Sequence, residues 1–251
     1  MTSTNICRKV AQTFALIALG LGVINAKPAM ASQLTVSAQA NIYGAGHTTA
    51  PAPGGGIGGQ LPTIFNLSAS AGQVITFSNV SGAAYYAAQI PYNAKPDGGS
   101  FLLGTNISSF GGISGIRNDN AIAFLVGVFL SDNEPVGLAP SILNFTNNTS
   151  FTELTPQINQ TFFIGDGLTG TGSGSLQSFI VPENATRLAL GFADGFSVQG
   201  LPGHYSDNYG SVTVELNLKS VPEPSAILGL LTTVGLGIAI KRKHRQGYAN
   251  N

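Results

Sequence analysis

The stretch from Ser211 to Leu218 constrains the fold of this chain most. Val212, Val214, Leu216 and Leu218 alternate with polar residues, the period of a strand that buries one face. Leu34 to Ala38 repeats the alternation. Thr63 to Leu67, Gln73 to Phe77, Leu176 to Val181 and Arg187 to Phe192 read as further strands. Clusters of Gly, Asn and Ser punctuate them, as turns between strands require. No stretch between residues 32 and 220 carries an amphipathic helical period. Ala121 to Leu130 is apolar throughout. Ten residues are too few to cross a bilayer as a helix, so a strand buried on both faces is expected there. The expected class is all-β, a jelly-roll-like β-sandwich. Pro51 to Gln60, with five glycines, reads as a flexible loop by composition. Residues 131–160, with Asn144, Asn147, Asn148 and Asn159, read as a polar insertion of loops with one short strand.

The two ends of the chain differ from this body. Arg8 and Lys9 precede a mostly apolar stretch from Val10 to Ile24, and Ala29-Met30-Ala31 is a small-x-small site. That order is a secretory signal peptide, 1–31, with cleavage expected after Ala31. At the other end Pro222, Glu223 and Pro224 form a box that ends the strand pattern, because proline lacks a donor and fixes φ. An apolar run of 15 residues, Ala226 to Ile240, follows and reads as a transmembrane helix. Lys241, Arg242, Lys243 and Arg245 come next and place the C-terminus in the cytoplasm. The run reaches roughly 22 Å as a helix, against about 30 Å of hydrocarbon, which suits a temporary hold better than a permanent anchor. The order of box, short apolar helix and basic end over 221–245 resembles the bacterial PEP-CTERM sorting signal. That resemblance implies a membrane transpeptidase of the exosortase type as a partner, which recognises and removes the tail.

Removing both ends changes the charge. The whole chain is balanced, with 11 basic and 11 acidic residues. Between residues 32 and 220 only Lys95, Arg117, Arg187 and Lys219 remain, against ten acids, a net of −6. An acidic body argues against nucleic acid and anionic membrane surfaces and suits cations. The single cysteine, Cys7, lies in the signal, so thiol catalysis and thiolate metal sites are excluded from the body. About 190 residues are enough for one domain with its own core.

Few residues point to catalysis. The body has only two histidines, His47 and His204, and no Gly-x-Ser-x-Gly elbow before a helix. Glu153, Asp166, Glu183 and Glu215 are scattered, and sequence does not pair them into the two facing acids of a glycosidase. The chain is expected not to be an enzyme. Gly165, Gly167 and Gly170 match the dinucleotide spacing, but no helix follows to hold a phosphate, and a hairpin or surface loop is expected instead.

The stretch that stands out runs from Asp194 to Gly210. Asp194 ends one strand, and Asp207 and Asn208 shortly precede the next. Two carboxylates and an amide oxygen meeting at one end of a sandwich are ligands for calcium, a hard cation that takes about six to eight oxygens. Gly203 and Gly210 permit the sharp turns that aim carbonyls inward. Spacing alone fits equally an Asp/Asn-capped hairpin with no metal.

Ser175 to Leu218 resembles the C-terminal half of the calcium-dependent galactose-binding bacterial lectins, a family of galactose-binding-like β-sandwiches. The resemblance rests on the Asp that closes one strand and on the loop Pro202-Gly-His-Tyr-Ser-Asp-Asn-Tyr-Gly210. It implies Asp194, Asp207 and Asn208 as side-chain ligands and His204 through its backbone carbonyl. Gln73 to Phe77 and Gly82 to Tyr86 resemble the strand and turn that supply one more carbonyl, which falls on Tyr86. Asp97 falls in the loop that lines the sugar site, so the resemblance implies Asp97, Asp194 and Asn208 as carbohydrate contacts. This chain departs from the pattern in two places. The interval from Asp194 to Asp207 is longer, by the segment around Ser197 to Gly200, so Asp194 is a ligand only if that segment loops out. Lys95 and Gly98 stand where the family's sugar-contacting His and Gln belong. Ala121 to Leu130 resembles a central strand of the family, without distinctive residues, and most of residues 101–170 has no counterpart there.

The expected function is that of an exported surface or extracellular-matrix protein with a calcium-dependent carbohydrate site. Its expected partners are the transpeptidase, a carbohydrate or exopolysaccharide, and the membrane through the C-terminal helix, with no nucleic acid. The alternative is a structural envelope or matrix component without a ligand; a hydrolase is a third.

Overall fold

The computed structural model describes residues 30–67, 72–87 and 90–219. The sorting tail with its expected helix, 226–240, and the expected signal peptide short of Met30 lie outside the described residues.

In chain order the strands are β1 (Met30–Ser37), β2 (Thr63–Asn66), β3 (Val74–Tyr85), β4 (Thr105–Ile107), β5 (Ile116–Asn118), β6 (Val126–Leu130), β7 (Leu143–Asn144), β8 (Glu153–Leu154), β9 (Thr161–Phe163), β10 (Leu168–Gly170), β11 (Ser173–Leu176), β12 (Ser178–Ile180), β13 (Arg187–Gly191), β14 (Gln199–Gly200) and β15 (Tyr209–Lys219). Helical structure among the described residues is limited to three short 3-10 turns, at Ile42–Gly44, Phe196–Val198 and Tyr205–Asp207.

Two sheets face each other as a β-sandwich. One has the order β1-β15-β3-β12-β8 and the other β2-β13-β6-β9. β15 is the spine of the first sheet, and Val212, Val214, Leu216 and Leu218 all point into the core, as their alternation requires. In the second sheet every residue of β6 is buried, the strand covered on both faces that the apolar run implies. It is shorter than the run, because Ala123 has a positive φ and the chain becomes extended only at Val126. Gly127 is needed there: a Cβ would lie 2.7 Å from the Phe162 ring. That ring crosses the interior to Phe179 of β12, with centroids 5.3 Å apart, and Phe179 meets Phe77 of β3 edge-on. These aromatic pairs bind the two layers.

Three regions depart from the expectation. β3 runs on to Tyr85, eight residues past Phe77. Asn79 adopts φ 49° and the register with β15 shifts there, so a bulge carries the strand through a polar stretch that reads as its end. The insertion at 131–160 holds two short strands rather than one, β7 and β8. A third sheet, β14-β4-β5-β7, and a separate β10-β11 hairpin supplement the two-layer sandwich. That hairpin follows Gly165 and Gly167, as the lack of a following helix implies.

The sandwich has two distinct ends. β1 and β15 are antiparallel, with Met30 opposite Leu218 and Ser37 opposite Ser211. The chain therefore enters and leaves the sandwich at the same end of one strand pair. Asp207 and Asn208 lie at the start of β15, one strand length away, roughly 34 Å for ten steps of extended chain.

Candidate functional site at the Asp194 loop

β13 carries the chain to Phe192, whose backbone pairs with Ala40 and Ile42. Asp194 follows. The longer interval after it does loop out. Gly195 bridges Pro202, and the Gly203 N–H donates to the Asp194 carbonyl at 3.1 Å. Residues 196–201 thus form a closed excursion, and within it β14 adds to the edge of β4. Asp194 and the loop leading to Asn208 are brought together as a result.

Asp194 is 3% exposed and Asn208 2%. The Asp194 Oδ1 accepts from the Gly195 N–H at 2.7 Å. Burial pushes its pKa from 3.8 to about 8; the Asn208 side chain and the Gly195 N–H oppose the rise, and the charge of Asp207 adds to it. Desolvation wins because one amide N–H and one side-chain amide do not replace the water around a carboxylate. The Asn208 Nδ2 donates to the Ala38 carbonyl at 3.3 Å, while its buried Oδ1 meets no partner. Asp207 lies on the exposed rim of the same loop.

Two buried tyrosines hold this backbone. The Tyr205 hydroxyl accepts from the Asp194 N–H at 2.9 Å and donates to the Phe192 carbonyl at 3.0 Å. The Tyr86 hydroxyl donates to the Ala193 carbonyl at 3.2 Å. Tyr86 therefore reaches the site through its side chain; its carbonyl, the atom the lectin resemblance implies, accepts from the Ile90 N–H at 3.3 Å. Tyr43, fully buried, has a hydroxyl without a partner. Burial raises the pKa of all three hydroxyls, so they stay neutral.

The glycine-rich segment 51–60 is built into the site rather than free of it. Gly54 N–H donates to the Pro202 carbonyl, His204 N–H to Gly55 and Tyr205 N–H to Ile57. The Asn41 side chain, wholly buried, donates to the carbonyls of Pro51 and Gly58 at 2.7 and 2.9 Å. The glycines permit close backbone approach: a Cβ on Gly54 would sit 2.3 Å from the Leu201 carbonyl oxygen. His204, in the left-handed region at φ 65°, packs its ring against Phe196. Tyr205 stands in the Pro202–Gly210 loop on which the resemblance rests, without a role assigned to it there, and composition marks 51–60 only as a loop; Tyr43 and Asn41 carry no sequence signal that ties them to the site.

Asp97 does not join this site. Its Oδ1 accepts from the Asp166 N–H at 2.7 Å, and burial raises its pKa, opposed by that N–H and enhanced by the Asp166 charge. It lines a separate cleft with Asn118, Thr149 and Thr171. Among the described residues no three His, Cys, Asp or Glu side chains converge as a metal cluster.

Residues 220–243 match the PEP-CTERM protein-sorting motif family. The chain ends in a PEP-CTERM sorting motif. The motif, with Pro222, Glu223 and Pro224 at its head, implies an exported protein, sorted at the envelope and processed by an exosortase-type transpeptidase. No curated protein and no solved structure matches the chain, so the likeness of Ser175 to Leu218 to the lectins rests on sequence pattern alone.

Proposed function

We propose that this protein is a surface or extracellular-matrix component whose jelly-roll-like sandwich binds calcium at the Asp194 loop and, through it, carbohydrate. The role is binding rather than catalysis. The observation that carries the reading is the pairing of a buried carboxyl, Asp194, with the unpartnered buried Oδ1 of Asn208. A carboxylate held away from water without a cation is costly, and an amide oxygen without a donor forfeits a hydrogen bond. Both are oxygens of the kind calcium takes. Asp194 and Asn208 would hold the ion, with Asp207 at the rim and His204 through its carbonyl. Bound there, calcium would supply open coordination positions for two vicinal hydroxyls of a sugar. Tyr205 and Tyr86 keep the Asp194 backbone in place, so the site is organised before any ligand arrives.

A second reading is structural, and one observation favours it. Asp194 N–H, Asp194 C=O and the Phe192 carbonyl are all satisfied within the loop, and a protonated Asp194 would close the sandwich end with no ligand. The experiment is glycan binding by the full-length protein with calcium and with chelator, for the parent and for Asp207→Ala. Binding lost in chelator and weakened by Asp207→Ala supports the calcium reading. Binding absent in both buffers favours the structural one.

A further inference from the structure

We infer that the cleft around Asp97 is a second binding site, one that takes a single pyranose ring of a neutral saccharide without calcium. Its volume is about 220 Å³, below the roughly 300–1,000 Å³ of sites for drug-sized molecules, so one small ring fits and an extended peptide does not. Three separate stretches wall it: the turn after β5, the loop between β7 and β8, and the β10-β11 hairpin.

The wall is fixed before a ligand arrives. Gln177, fully buried, donates its Nε2 to the carbonyls of Thr149 and Phe151 at 2.8 and 2.9 Å. The Thr146 hydroxyl accepts from the Asp119 N–H at 3.0 Å and donates to the Asn144 Oδ1 at 2.7 Å. Such fixed loops lower the entropy lost on binding.

The polar groups left over face both ways. Asn118 is 2% exposed and its Oδ1 accepts from the Asn120 N–H at 3.1 Å. Asn118 lines the cleft, where its Nδ2 has no acceptor among the described residues and is free to donate to a ligand. The Thr149 hydroxyl, unpaired among the described residues, donates or accepts. Asp97 takes the Asp166 N–H and a hydrogen bond from the Thr171 side chain, and its two oxygens keep a lone pair for a ligand hydroxyl. Phe163 and Leu168 add an apolar surface, and the Phe163 ring is backed by Phe124 and Phe145 at 5.3 and 5.8 Å.

Charge decides the ligand class. No Lys or Arg lines the cleft, and Asp97 stands beside Asp166, so phosphate, sulfate and uronate are repelled. A multivalent cation finds a single carboxylate, Asp97: Asp166 does not line the cleft and turns its oxygens to the N–H groups of Leu168 and Gly172, at 2.9 and 2.5 Å. A neutral ring fits the remainder. Its hydroxyls donate to Asp97 and accept from Asn118, while its C–H face lies against Leu168, above the buried Phe163 at the floor.

The test is titration of the full-length protein, in detergent, in one arm with EDTA and in a second with calcium, with methyl pyranosides of glucose, galactose, mannose and N-acetylglucosamine, followed by ligand-observed NMR. The expected result is binding of at least one in chelator, weakened about tenfold by Asp97→Asn through loss of a charge-assisted hydrogen bond. Thr149→Val, at a partly exposed position, weakens it with an unchanged melting temperature, and Asp207→Ala leaves it intact. Three outcomes overturn the inference: no pyranoside binding in chelator, binding that both cleft variants leave unchanged, or binding seen only with calcium. The last moves the sugar to the Asp194 loop and supports that site instead.

Discussion

Asp194 and Asp97 are both carboxyls lifted above their usual pKa, and the difference between them separates the two regions of this sandwich. Asp194 is almost wholly removed from water and has one backbone N–H at 2.7 Å. Asp97 has the same kind of partner, also at 2.7 Å, but borders an open cleft. The partners are alike, so water makes the difference. Burial drives Asp194 to about 8, where it needs a proton or a cation, while Asp97 keeps enough solvent to accept hydroxyls. Two buried tyrosines lock the first region; loops stapled by Gln177 and Thr146 frame the second.

The largest expected effect breaks the comparison at Asp194. Without calcium, the folded state holds a proton on Asp194 between about pH 4 and pH 8, and the unfolded chain does not. Stability contributed by that proton is present at about pH 4 and falls as pH rises toward 8. The span has a ceiling of about 6 kcal/mol. Urea denaturation in chelator across this range shows that decline in the parent, and Asp194→Asn flattens it. An equal decline in the variant removes Asp194 as its source.

Next in size is Tyr205→Phe. Losing the hydroxyl leaves the Asp194 N–H and the Phe192 carbonyl buried without that partner, at a cost of about 1–3 kcal/mol. Thermal denaturation reads this as a fall of several degrees. A variant as stable as the parent means that Tyr205 does not hold the loop.

The smallest effect is expected at Asp97→Asn, where the amide oxygen still accepts from Asp166. Stability changes by less than about 1 kcal/mol, and the decline between pH 4 and 8 persists. A loss comparable to that of Tyr205→Phe would show that Asp97 is structural and erase the contrast.

Much of this architecture is legible in the sequence where strands are long and one-sided. β15 declares itself through Val212 to Leu218, and β6 through an unbroken apolar run. The sequence also poses the right condition for Asp194, that residues 196–201 loop out. It fails where local composition and tertiary contact disagree. The strand read from Gln73 ends at Phe77, yet pairing with β15 carries β3 on past Asn79 and Gly82 to Tyr85. The glycines of 51–60 read as freedom, whereas they permit close packing on Leu201 and Gly203. Asp97 belongs with Asp166 instead of Asp194 because the hairpin at 168–176 folds over it, and β4, β5, β7 and β8 are too short to show a period.

The central claim, a calcium site at Asp194 and Asn208, is tested most directly by calorimetric titration of calcium into chelator-stripped full-length protein. Calcium competes with the proton on Asp194, so binding is predicted at pH 8, with affinity falling about tenfold per unit between pH 7 and pH 6. Asp194→Asn is predicted to abolish it. No heat at pH 8 in the parent, or undiminished heat in Asp194→Asn, contradicts the claim.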